Sequence, residues 1–404
     1  MSAFGRLAAA ALAGIALAAA PSPAHAQVSL PGPDGWAITL AGNVNVFTVF
    51  TNGREIVPGP IDGGRVPAEL ITRIRTGLLP SIVVLDVKTH EGSVDLGAHF
   101  GVGVQVSNAS VHDNLDNGTQ AGARIDMRQA YMTIGGVWGQ VLAGRELSLY
   151  QRENILNDMT LFGTGATGGG LGAPGTTLGR SGFGYIYPNF NGQVTYASPA
   201  SHSWQLSVGI FDPDRINGDF SAEGAAPTAM PRVETEATWH GTLGRARVRL
   251  WASAMRQSAE QRITARGAAA GLRLEAGALA FVASGYGAKG VGSTYALSTN
   301  LGVDGSGAVR TTYGYMAQLT ATRADAPWTF GMSFGESRVR QTAYDLALDN
   351  QDLVRRNTAV IGMAMYRATH SLRLVGEYTR AEAQAYSGAR NRSDQVSAGL
   401  LLFF

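Results

Sequence analysis

Cysteine is absent from all 404 residues, so neither a disulfide nor a thiolate metal site can brace this chain. A surplus of one charge is lacking as well. The 32 basic and 30 acidic side chains leave a formal charge of +2, too weak a field to gather nucleic acid or an anionic surface. Histidine is scarce, and its seven copies show no H-E-x-x-H or paired-ligand spacing, which argues against a metal centre. Beyond the first 20 residues no apolar run approaches the roughly 20 residues of a membrane-spanning helix. The Lys-Glu-Leu patterning of helical proteins is missing too. What is present is glycine, 53 copies of it, between short stretches rich in Val, Thr, Tyr and Phe, and this combination indicates an all-β chain with many turns.

The amino terminus reads as an export signal. Arg6 precedes an apolar run from Leu7 to Ala20, and an A-x-A site follows at Ala24 to Ala26. We therefore expect residues 1–26 to be a cleaved secretory signal peptide and residues 27–404 to be a single mature domain. No nucleic-acid partner and no cofactor are expected.

The strand signal has period two over unusual lengths. In "VDLGAHFGVGVQV" the side chains of Val94, Leu96, Ala98, Phe100, Val102, Val104 and Val106 share one face, and Asp95, His99, Gln105 and three glycines the other. Average soluble strands have about five to six residues, whereas a tilted membrane strand has about nine to eleven. Arg245, Arg247 and Arg249 alternate with Ala246, Val248 and Leu250, and three guanidiniums on one face require water or an aqueous lumen. Trp328, Phe330, Met332 and Phe334 oppose Gly331 and Ser333, and the chain ends with Val396, Ala398, Leu400, Leu402 and Phe404 on one face. The stretch "NTAVIGMAMY" is apolar on both faces and breaks the rule.

Short connections near Glu91, Gly135, Pro199, Thr242, Ala276, Asp325 and Thr369 alternate with long polar or Gly-rich ones. The long ones run over 51–70, 108–123, 146–182, 212–230, 256–263, 288–308, 339–353 and 383–391. Fifteen connections imply sixteen strands, and strict alternation puts every short turn at one end. That is the layout of a transmembrane β-barrel with both termini on the short-turn side. Trp36 begins the first strand, Trp138, Trp204, Trp239 and Trp328 lie near short turns, and Trp251 sits towards the long-loop end, as expected for an aromatic belt at one interface.

Enzyme signatures occur but lack their context. "GMSFG" over Gly331 to Gly335 fits G-x-S-x-G, yet Ser333 sits within an alternating strand rather than on a strand-to-helix elbow. Two G-x-G-x-x-G matches, from Gly163 and from Gly285, open no helix. No enzymatic activity is expected. Asp212, Asp214 and Asp219 offer a weak calcium loop, although Pro, Asn, Gly and Asp also form ordinary turns. The longest connection carries Arg145, Glu146, Arg152, Glu153, Asp158 and Arg180 around a Gly-rich middle, and so long a loop is commonly functional.

The stretch "RQAYMTIGGVWGQVLAGRELSLY" (Arg128 to Tyr150) resembles the hairpin between the fourth and fifth strands of Gram-negative general porins. "YASP" (Tyr196 to Pro199) resembles the next periplasmic turn of that family, and terminal Phe404 resembles its assembly signal. The resemblance implies a 16-stranded antiparallel outer-membrane barrel, a homotrimer, with a long third loop folded into the lumen. It also implies partners: outer-membrane lipid and lipopolysaccharide, barrel assembly machinery and periplasmic chaperones. Glu146, Arg152, Glu153 and Asp158 would form the loop side of the pore constriction. Arg73, Arg75, Arg128, Arg245, Arg247, Arg249 and Arg273 would line the wall. The expected function is passive diffusion of ions and small hydrophilic solutes through water. The alternatives are a substrate-specific channel and a soluble exported β-protein.

Overall fold

The computed structural model describes residues 28–104, 106, 125–166, 177–221, 223–297, 301–323 and 325–404. The expected signal peptide over residues 1–26, most of the second long connection and the Gly-rich middle of the third lie outside the described residues. Sixteen wall strands follow one another: β1 (Ala37–Val57), β2 (Leu70–Arg75 and Ser81–Glu91), β3 (Val94–Val104), β4 (Ile125–Gly136), β5 (Gly139–Leu147), β6 (Phe190–Ala197), β7 (Trp204–Phe211) and β8 (Arg232–Leu243). Then come β9 (Ala246–Ser258), β10 (Thr264–Ala276), β11 (Leu279–Lys289), β12 (Thr311–Thr322), β13 (Trp328–Arg340), β14 (Val354–Arg367), β15 (Leu372–Ala385) and β16 (Arg390–Phe403). A leading strand, Val28–Pro31, adds to the start of β1.

Every wall strand pairs antiparallel with the next, and β16 pairs with β1 through Leu400 opposite Val46 and Leu402 opposite Val44. The sheet is thus closed. Closure is what a strand-built wall in lipid requires, because hydrocarbon offers no partner to an unpaired N–H or C=O. The carboxyl terminus completes the seam, with Gly42 N donating to Phe404 O at 2.8 Å and Phe404 N to Gly42 O at 3.0 Å. A terminus that would fray in a soluble protein is held on both sides.

The outward face carries exposed Val46, Phe100, Met132, Leu206, Leu250, Leu319, Phe330, Met332, Val360 and Leu400, an apolar band far beyond what a soluble monomer leaves in water. At the short-turn end Trp204 faces Trp239 across β7 and β8 with ring centroids 6.2 Å apart, Trp138 stacks on Tyr196, and Trp328 packs on Tyr366. Trp251 points inward instead, and its Nε1 donates to Asn154 at 2.7 Å. That contact explains why it stands apart from the belt.

Two expectations shift. Strand β1 extends to Val57, so the first long connection is shorter than expected, and β3 ends at Val104 rather than Val106. Strand β2 is broken. Between Arg75 and Ser81 the chain leaves the ladder and turns inward, where Leu78 N donates to Gly163 O at 2.9 Å and Leu79 N to Leu161 O at 3.2 Å. Gly77 permits this approach, since a Cβ there would stand 2.4 Å from Gly163 O.

Candidate functional site: a loop laid across the lumen

The described residues of the third long connection, 148–166 and 177–189, lie inside the barrel. It begins with a tight turn at Gln151 (φ 65), continues into the short helix α1 (Arg152–Leu156), and reaches a 3₁₀ turn (Met159–Phe162) capped by Asp158 through Thr160 N at 2.9 Å. Its backbone is then pinned to one wall strand after another. Tyr150 N donates to Glu234 on β8 at 2.8 Å, Gln151 N to Ser253 Oγ on β9 at 3.0 Å, and Met159 N to Gln318 Oε1 on β12 at 2.9 Å. Farther on, Gly184 N donates to Ser337 Oγ on β13 at 2.9 Å. Between these, Thr164 N and Thr164 Oγ1 both donate to Glu377 Oε2 on β15 at 2.6 Å, and Gly165 N donates to the same oxygen at 3.0 Å. Glycine at 163 is required here, because a Cβ would sit 2.1 Å from Glu377 Oε1.

Packing reinforces the hydrogen bonds. Ile155, Leu156, Met159, Leu161 and Phe162 of the loop form one buried cluster with inward-facing Phe47, Trp251, Met316, Ile361, Met363, Val375 and Leu401. The inner wall was expected to be polar. It is apolar where the loop lies on it, which accounts for the two-sided apolarity of "NTAVIGMAMY" and of the terminal strand. Phe162 also packs edge-on against Phe403, and the Arg373 guanidinium lies over both rings at 5.3 and 4.8 Å.

Two loop-to-wall ion pairs share one polarity. Glu153 on α1 accepts a two-pronged contact from Arg249 on β9 at 2.9 and 2.7 Å, and Arg152 pairs with Glu236 on β8. Asp158 accepts from Thr160 Oγ1 and Tyr185 Oη, each at 2.7 Å. Glu146 on β5 accepts from Gln129 Nε2 at 2.8 Å and from Leu147 N at 2.7 Å. In the pairs the arginine side chain is the exposed partner: 41% for Arg249 against 8% for Glu153, and 28% for Arg152 against 2% for Glu236. The carboxylates face protein and the guanidiniums face water.

The residues singled out in the sequence fall in several places, and some of the loop's anchors are not among them. Glu146, Arg152, Glu153, Asp158 and Arg249 meet around the loop. Arg73 and Arg75 face inward on β2 near Arg65 of the first connection, close enough for Arg75 to feel the charge of both. Arg128 donates to Tyr187 Oη at 3.2 Å and lies over the Phe190 ring. Arg245 is corrected: it occupies the short turn between β8 and β9, outside the wall strands. Arg247 and Arg273 both pair with Glu275, at 2.8 and 2.6 Å, and so line the wall away from the loop.

The calcium reading of Asp212, Asp214 and Asp219 is also corrected. Asp214 accepts from Arg232 at 2.8 Å and Asp219 pairs with buried Arg310, so their charges are already neutralised. Among the described residues no group of three acidic, histidine or cysteine side chains is placed to hold a metal. Ser333 faces inward from the middle of β13, where it accepts from Arg180 Nε at 3.1 Å, so it stands on no elbow. Glu377 and Glu236 were missed as anchors, since an acid in an alternating strand carries no signal of the loop it will hold, and Arg180 was read as one of the loop's charges without its wall partner Ser333.

The Gram-negative porin family model matches residues 8–386. Among curated proteins none matches the sequence. The fold is similar to that of the outer membrane channel DcaP of Acinetobacter baumannii, with a TM-score of 0.68, 14% identity, and coverage of 93% of this chain and all of that one. It is similar also to an anion-selective porin from Comamonas acidovorans (TM-score 0.58, 13% identity, 91% of this chain, all of that one). A third similar structure is Salmonella typhi OmpF in complex with daunomycin (TM-score 0.57, 12% identity, 93% of this chain, all of that one). With a closed sixteen-stranded wall, an apolar outer band and a loop laid inside the lumen, the chain belongs to the Gram-negative porin family and is an outer-membrane diffusion channel.

Proposed function

We propose that this channel is a general diffusion porin that favours anions, exported through cleavage of residues 1–26 and assembled as a homotrimer. Glu146, Arg152, Glu153 and Asp158 form the loop side of its constriction, and Arg73, Arg75, Arg128 and Arg249 the facing wall. Phe404 serves as its assembly signal. A Vibrio cholerae outer membrane protein in trimer form is among the similar structures, which supports the oligomeric reading.

The observation that carries the ion preference is the polarity of the loop-to-wall ion pairs. Each acid is turned into protein and each arginine towards the passage, so a solute in the constriction meets the positive ends of these pairs. Low-dielectric walls strengthen that field, and a hydrated anion enters at lower cost than a cation. No bond is made or broken in such passage. The test is the reversal potential across a planar bilayer in a potassium chloride gradient. Its sign is expected to report chloride preference, and the Arg249→Gln and Arg152→Gln variants to shift it towards potassium. A cation-selective parent would overturn the reading.

A further inference from the structure

The sixth long connection leaves the wall at Lys289 and turns inward at once. Gly290 (φ 73) and Gly292 (φ 90) hold backbone that other residues adopt only with strain, and a Cβ on Gly290 would stand 3.2 Å from the Ala265 backbone. Val291, Ala296 and Leu297 then pack on inward-facing Met255, Tyr286 and Ala288 of β9 and β11. The connection is clamped to the returning limb of the third loop: Tyr187 N donates to Thr294 O at 2.8 Å, Ala296 N to Tyr187 O at 3.0 Å, and Asn189 Nδ2 to Ala296 O at 3.0 Å. Its roots are tied as well, because Arg310 N donates to Gly302 O at 2.9 Å and Gly290 N to Arg310 O at 3.0 Å. A strap held at its roots and at its middle keeps its place in the passage.

Among residues 290–297 only Tyr295 is not buried, so it is the side chain this strap turns to water. Its ring meets Tyr187 edge to face with centroids 5.5 Å apart, and its hydroxyl feels the charges of Arg65, Arg128 and Arg75. Those arginines belong to the first connection, to β4 and to β2. In the ring of sixteen strands β4 lies seven strands back from β11, and β2 seven strands on through β16 and β1. The strap therefore reaches almost to the opposite wall.

We propose that Tyr295 is a specificity-determining residue of this channel: its ring narrows the water-filled passage a second time, on the long-loop side of the third loop, against the wall that carries Arg65, Arg75 and Arg128. Solute size is then set at two levels, the constriction made by the third loop and a slot beside Tyr295. Selection in such a pore comes down to its diameter and the groups that line it, so one aromatic ring at a slot has a measurable effect. The inference rests on the diffusion-channel reading and is independent of the ion preference.

The experiment records single channels of the full mature protein in planar bilayers, with polyethylene glycols of graded size added to one face at a time. From the long-loop face the parent is expected to exclude polymers that Tyr295→Ala admits, and Tyr295→Ala is expected to carry more current. Tyr295→Trp should carry less, and Tyr295→Phe, which keeps the ring, should match the parent. From the short-turn face the cut-off should be the same in all four, since polymer arriving there meets the third loop first. A Tyr295→Ala channel with the parent's conductance and the parent's cut-off from the long-loop face would overturn the proposal. An equal shift from both faces would overturn it too, because losing Tyr295 would then only have loosened the third loop. Should Tyr295→Ala fail to refold, the conductance of Tyr295→Trp carries the test, and a parent-like value there overturns the proposal. The reversal potential in the same recordings reports the ion preference separately, and a parent that never conducts would overturn the channel reading and this inference with it.

Discussion

Replacing Glu377 by alanine should loosen the third loop without opening the barrel. Glu377 Oε2 accepts from Thr164 N, Thr164 Oγ1 and Gly165 N at 2.6, 2.6 and 3.0 Å, and it lies where the loop crosses β15. Removing the acceptor strands two backbone donors in a buried place, each worth about 1–3 kcal/mol when left unmade. Thr164 Oγ1 keeps a second partner in Ser397 Oγ at 2.7 Å, and releasing a buried carboxylate recovers some desolvation, so we take about 3 kcal/mol as the net loss at this anchor. At about 1.4 kcal/mol per tenfold, the detached form of this segment rises roughly a hundredfold. The wall ladders on either side of Glu377 are untouched. Single-channel recordings of Glu377→Ala should therefore show rapid current fluctuations around the parent level, with the thermal stability of the barrel nearly unchanged. Glu377→Gln, which keeps a neutral acceptor, should fall between. Recordings as quiet as the parent's would refute the assignment of Glu377 as an anchor.

Other perturbations have equally definite outcomes. Leu250→Arg places a charge on the lipid-facing band and should destabilise folding into vesicles by about 2–4 kcal/mol, while no loss would mean that the outward face is misassigned. Arg310→Ala should speed hydrogen exchange in the long connections over 212–231, 290–310 and 341–353, because buried Arg310 ties Asp219 to Asp345 and donates to Asp345 at 2.8 and 2.6 Å. Burial opposes the charge of Asp345, but hydrogen bonds from Arg310, Thr342 and Asn350 outweigh it and hold its carboxyl below the ordinary range. Its stabilising contribution is thus complete above the usual carboxylate pKa near about 4 and declines only at lower pH. Protection factors in those connections, taken relative to intrinsic exchange at each pH, should be level from pH 7 down to about 4.5, and a fall within that interval would contradict the assignment. Deleting Phe404 removes the pair of hydrogen bonds to Gly42 and should lower inserted protein more than total protein, as read by membrane fractionation.

The wall of this barrel was legible because period two, turn chemistry and connection length are local properties of the chain. Val94 to Val104, the glycine-marked short turns and the strict alternation of short and long connections each carry that information without reference to any partner. The interior was less legible because it depends on a loop folding back. Ile361, Met363 and Leu401 look anomalous as lumen residues until Met159, Leu161 and Phe162 are seen against them. The break in β2 follows the same cause, with Gly77 and Leu78 leaving the ladder to meet Gly163. Arg249 was found because arginines repeat along β9, whereas the acids Glu234, Glu236 and Glu377 lie in strands that carry no mark of the loop they hold. Arg245 was misplaced for an equally plain reason: alternation marks a face but not where a strand begins, and the turn at Gly244 runs one residue further than the pattern suggests.

The central claim is that water-filled passage through a loop-narrowed barrel is what this chain provides. Single-channel recording of the purified mature protein in planar bilayers tests it most directly. The account predicts stepwise insertion into steadily open, ohmic conductances, with a reversal potential of the sign that marks anion preference. A protein that elutes as a detergent-free soluble monomer and never conducts would contradict it.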